Sequence, residues 1–167
     1  MTAPRDSPVG GPGPLARLLS ADHAEMDGCF QDAREALEHD LPVEARALID
    51  RIWIRLAVHI RAEHKVLFPA LSEALPQLRS DLQTLREEHD FFMATLAEGV
   101  KVLQEPAPDL PSARTALESV WRRLASHNSL EEEQIYPGAD RLPQAQLAQL
   151  LAAASRELAF LPQRYER

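Results

Sequence analysis

The chain has 167 residues, enough for one domain with a substantial core, and is 45% hydrophobic but only 5% aromatic. Its formal net charge of −8 repels phosphate backbones and argues against nucleic acid as the main partner. A single cysteine, Cys29, excludes an intrachain disulfide and suits a reducing cytoplasm, and the longest uncharged runs are too short and polar to span a bilayer.

The first fourteen residues, MTAPRDSPVGGPGP, read as a flexible Pro/Gly tail without the basic end and apolar run of a secretory signal. A first helix is predicted from about Leu15 to His39, closed by DLP at 40–42. The second covers roughly 43–74, and Pro69 is expected to kink its last turns. A third spans about 77–104, up to EPAPDLP at 105–111. The fourth runs from about 112 to 136, where Pro137-Gly138 disturbs it. A shorter fifth follows Pro143 to about Leu161 and would cover the bundle or join a partner, a second copy included. Long helix-favouring stretches with short connections predict an all-α chain. It would be an antiparallel up-down four-helix bundle over residues 15–140, with an additional C-terminal helix in 141–167. Glycine-rich phosphate loops, paired cysteines and a G-x-S-x-G elbow are all missing from the sequence.

Each long helix carries a core stripe at three-four spacing, and each stripe contains a histidine. They are Leu15, Leu19, His23, Met26, Phe30, Ala33, Leu37; then Ile52, Leu56, His59, Glu63, Val66. The third is Leu78, Leu82, Leu85, His89, Phe92, Leu96, and the fourth Leu117, Val120, Leu124, His127, Glu131, Ile135. In an antiparallel pair, residues equidistant from the turn lie at one height. The midpoint of His23 and His59 is Leu41, that of His59 and His89 is Ala74, and that of His89 and His127 is Pro108. All three fall within the predicted loops, so the four histidines share one level of the bundle. The chain also repeats: DH at 22–23 and EH at 88–89 precede HIRAEHKVLFP at 59–69 and HNSLEEEQIYP at 127–137. Each half is a helix with one histidine, then a helix carrying H-x-x-x-E-x-x-x-x-[FY]-P.

Residues four apart project from one helix face, so His59 with Glu63 and His127 with Glu131 point together into the core. Unpaired, such a layer costs several kcal/mol (order of magnitude), and a bound cation removes that cost. Imidazole and carboxylate without thiolate suit iron or manganese better than structural zinc. Ligand counting favours two ions over one, with an open position for an exogenous ligand. A layer held by hydrogen bonds alone, in a metal-free helical interaction module, is the competing reading.

The combined pattern H…H-x-x-x-E…H…H-x-x-x-E, with both [FY]-P endings, resembles the hemerythrin-like (HHE cation-binding) family over about residues 15–140. The resemblance implies a four-helix bundle holding two iron ions with a bridging oxo or hydroxo group. It implies His23, His59, His89 and His127 as terminal ligands, and Glu63 and Glu131 as bridges. The expected function is binding of dioxygen, peroxide or nitric oxide for sensing, detoxification or iron handling. A peroxidase- or catalase-like activity and cluster repair are alternatives, the latter disfavoured by a short N-terminus without cysteine. One departure stands out: oxygen-carrying hemerythrins have a further histidine four residues before the one on their third helix, where this chain has Leu85. Asp27 or water could take that place. His64 stands where the family often has a second acid, and Glu132 holds the matching position in the second copy. His64 is expected at the surface or behind a ligand, and Asp27 and His39 are expected to be exposed. Phe68 and Tyr136 are expected to pack the helix ends, and Trp53 and Trp121 to pack without a cofactor.

Overall fold

The computed structural model describes residues 11–161, all helix and connection with no strand; residues 1–10 of the expected tail lie outside it. Helix α1 is Pro14–Glu38 and α2 is Pro42–Ala62, both opened by a proline whose missing N–H costs nothing in the first turn. A π-turn at Glu63–Leu67 joins α2 to α3, Phe68–Ala74. After a 3₁₀ turn at Pro76–Leu78 come α4, Arg79–Val102, and α5, Leu110–Leu130. A second π-turn, Glu131–Ile135, leads into α6, Tyr136–Asp140, and α7 is Gln144–Ala159.

Neighbouring rods run antiparallel. Asp22 and Glu25 of α1 meet His59 and Arg55 of α2, so the partner's number falls as the first rises. Trp53 donates to the Met93 carbonyl, whereas His64 meets His89, and the same opposite order joins α1 to the last rod through Arg34–Glu118 and His23–Glu132. Helix α7 lies along α2 and the first π-turn, held by Arg61 to the Glu157 carboxylate and carbonyl. The apolar interior falls into two clusters. One gathers Met26, Phe30, Ile52, Phe92, Leu96 and Val120; the other gathers Leu15, Leu19, Phe68, Leu85, Ile135 and Tyr136. The histidine level lies between them.

The predicted kink at Pro69 and disturbance at Pro137-Gly138 take a different form. Both [FY]-P steps are absorbed one turn early, by π-turns that start at Glu63 and Glu131. There the amide of Phe68 reaches the Glu63 carbonyl, and that of Tyr136 the Glu131 carbonyl, each five residues back. A helical proline clashes with the carbonyl four residues before it, and the wider turn makes room for the ring. The extra residue also rotates the stripe: Val66, expected in the core, is half-buried, while Leu67 and Phe68 are 1% exposed.

Candidate metal centre

Six polar residues lie between the apolar clusters: His23, His59, Glu63, His89, His127 and Glu131, none more than 3% exposed. They are the six predicted from the repeat, brought to one level. The Nε2 atoms of His23 and His59 are 3.1 Å apart, and those of His89 and His127 are 2.9 Å apart. Each glutamate turns one oxygen to each pair. Glu63 Oε1 is 3.5 Å from His59 Nε2 and its Oε2 is 3.3 Å from His89 Nε2. Glu131 Oε2 is 3.3 Å from His23 Nε2, and its Oε1 is 3.1 Å from His127 Nε2.

The outer nitrogens fix the tautomers. Nδ1 of His23 meets Glu132 at 2.8 Å, that of His59 meets Asp22 at 2.8 Å, and that of His127 meets Glu88 at 2.9 Å. Nδ1 of His89 meets His64 Nε2 at 2.9 Å. A carboxylate can only accept, so Nδ1 carries the proton and Nε2 of a neutral ring turns a lone pair inward. Burial and the nearby Arg86 push His64 below its ordinary value, which leaves its Nε2 able to accept from His89. Two lone pairs facing one another at about 3 Å repel unless a proton or cation lies between them.

The protein groups divide their charge unevenly. Burial alone would raise Glu131, but the adjacent imidazoles of His127 and His23 outweigh it and hold the carboxyl well below its usual range. Burial and the Glu131 charge push Glu63 upward. Burial drives His89 down to about 2, whereas Glu63 and Asp22 overcome the burial of His59 and raise it. Two carboxylate oxygens, Glu63 Oε2 and Glu131 Oε1, are buried without a hydrogen-bond partner. Glu131 Oε1 is within 3.1 Å of His127 Nε2, yet outside hydrogen-bond geometry. Orphaned acceptors beside inward lone pairs are what a site for hard or borderline cations presents. Two triads have donor atoms close enough to hold an ion each: His23, His59, Glu131, and His89, His127, Glu131.

Residues 15–139 match the family described as the hemerythrin HHE cation binding domain. The chain belongs to that family. No match was found among curated proteins or among solved structures. Membership in the HHE cation-binding family agrees with the chemistry of the donor set, imidazole and carboxylate without thiolate.

The residues left open in the sequence now have places. Asp27 is exposed and, with His23 and Glu132, lines a cleft of about 450 Å³ between α1 and α5. Glu132 and His64 stand behind His23 and His89 and take equivalent positions in the two halves of this HHE domain. Trp53 and Trp121 pack against the core, and the His39 side chain is 68% exposed, as expected. Three groups escaped the sequence reading. Asp22 and Glu88 were visible as the acids of the DH and EH doublets, without a role. Tyr136 was assigned to helix-end packing; instead its hydroxyl reaches Glu63 Oε1 at 2.8 Å and Glu131 Oε2 at 3.0 Å. In an α-helix five residues turn about 140° past the starting face, so Tyr136 would point away from Glu131. The π-turn closes that gap. Its proline was the available signal.

Proposed function

We propose that this HHE domain is a non-haem di-iron protein that binds dioxygen, peroxide or nitric oxide. Its role on this reading is sensing, detoxification or iron handling. The supporting observation is the pair of buried bridging-type carboxylates, each aimed with one oxygen at each pair of inward-facing Nε2 atoms. His23 and His59 would hold one iron, His89 and His127 the other, and Glu63 and Glu131 would span both. When bound, the irons supply the redox chemistry and the position for the small ligand.

The protein's own part is to hold and shield. Asp22, Glu88, Glu132 and His64 lock the ligand rings, which fixes donor geometry and strengthens the carboxylate-backed imidazoles as ligands. The two apolar clusters above and below limit water, which favours a gas or peroxide over a larger polar substrate. A metal-free interaction module needs a proton between each facing pair of Nε2 atoms and still leaves the two orphaned oxygens unexplained. No described helix is long and apolar enough to cross a membrane.

The test is optical. Ferrous protein prepared without oxygen should change its visible spectrum saturably with nitric oxide, and should give oxo-bridged charge-transfer bands on exposure to air. Iron-loaded protein whose spectrum ignores nitric oxide, air and hydrogen peroxide contradicts the reading. Turnover of hydrogen peroxide, if seen, assigns the domain to an enzyme rather than a binder.

A further inference from the structure

The two halves of the centre are related by the sequence repeat, but they differ at the aromatic position five residues after each bridging-type glutamate. Tyr136 stands on the His23/His59 side, and Phe68 takes its place in the other half. The Tyr136 hydroxyl is 3.2 Å from His23 Nε2 and 3.3 Å from His59 Nε2. It is 2.8 Å from Glu63 Oε1 and 3.0 Å from Glu131 Oε2. Those four atoms are the donors of that half. Around them the separations are 3.1 Å from His23 to His59, 3.5 Å from His59 to Glu63 and 3.3 Å from Glu131 to His23. Neighbouring ligands of one six-coordinate ion, with bonds of about 2.1 Å, lie about 3 Å apart. The phenolic oxygen is therefore at neighbouring-ligand distance from all four donors.

On the other side the ring of Phe68 lies parallel to His89 at 6.0 Å and offers no donor. There, too, are the two orphaned oxygens, Glu63 Oε2 and Glu131 Oε1, whereas their partners Oε1 and Oε2 share the Tyr136 hydroxyl. Tyr136 is wholly buried, so its place cannot come from a surface preference.

We infer that Tyr136 is a fifth protein ligand to the metal held by His23 and His59, making the two metal positions unequal. The exogenous ligand is thereby directed to the His89/His127 position, beside Phe68. This inference rests on the di-iron reading above. When a ferric ion binds, the phenol O–H bond breaks, an oxygen–iron bond forms and the proton passes to solvent.

The experiment loads the full chain with ferrous ammonium sulfate anaerobically, oxidises it with ferricyanide and measures iron before spectroscopy. Resonance Raman excited in the visible band should show phenolate ring modes that shift with ring-deuterated tyrosine. Tyr136→Phe should keep its iron and lose the band and the modes; Tyr165→Phe, at the chain's other tyrosine, should keep both. Iron-loaded wild-type protein without phenolate modes overturns the inference and leaves the di-iron reading standing. Modes that persist in Tyr136→Phe, or vanish in Tyr165→Phe, also overturn it. A wild-type chain that takes up no iron overturns both. If Tyr136→Phe does not fold, the wild-type and Tyr165→Phe spectra decide.

Discussion

Stripping metal from this domain should destabilise it by an amount set by its own core. Glu63 Oε2 and Glu131 Oε1 are buried and without a hydrogen-bond partner, and an unsatisfied buried acceptor costs about 1–3 kcal/mol. Together they put roughly 2–6 kcal/mol of penalty into the folded state that a bound cation relieves. For a domain of this size each kcal/mol moves Tm by about 2–4 °C, so metal loading should raise Tm by about 4–24 °C. Excess metal adds further stabilisation by mass action. The assay is thermal unfolding by far-ultraviolet circular dichroism, comparing chelator-treated protein with protein reconstituted with ferrous iron. His89→Ala, which removes the donor that faces both orphaned oxygens, should shrink the difference to a few degrees. Coincident curves for stripped and reconstituted wild-type protein would refute the reasoning, because the orphaned oxygens would then have no cation to meet.

Four further outcomes follow from named residues. Asp22→Asn and Glu88→Gln keep the shape but remove the charge behind His59 and His127; each should weaken metal binding about 10–100-fold in competition with a chelator, with the helical spectrum unchanged. His64→Glu would give His89 the carboxylate backing that His23 has from Glu132, and should tighten binding of one of the two metals while leaving the other as it was. The first two amides of α1 are satisfied by a residue 125 positions away, since Leu15 and Ala16 donate to Asp140 at 2.9 and 3.0 Å. Asp140→Ala should therefore cost about 0.5–2 kcal/mol, as loss of a helix cap does, read as a lower Tm. Gly13→Ala should lower Tm as well, because its new methyl group would collide with that carboxylate.

The helix count and the polar level were legible because periodicity and loop position are properties of the chain alone. Three loop midpoints place His23, His59, His89 and His127 at one height, and packing then leaves Glu63 and Glu131 nowhere to point but inward. Tyr136 was illegible for a geometric reason. Its inward direction depends on a π-turn, and an α-helical projection sends a residue five after Glu131 to the opposite side. The same register shift accounts for Val66, which an α-helical stripe buries and the π-turn leaves half-buried. Asp22 and Glu88 were hidden differently. Their partners, His59 and His127, are on neighbouring rods, and no spacing within one helix reports a contact between two. His64 illustrates both: its position in the repeat was readable, its bond to His89 was not.

The claim on which the rest stands is that two irons share this core. It is tested by iron content per folded chain, measured by mass spectrometry on protein purified from its native host under conditions that spare bound metal. Two irons per chain are predicted, falling toward zero in Glu131→Ala, which removes the carboxylate shared by both triads. A stoichiometry of one would contradict the bridging roles of Glu63 and Glu131. A metal-free chain, or one filled with another metal, would contradict the di-iron centre itself.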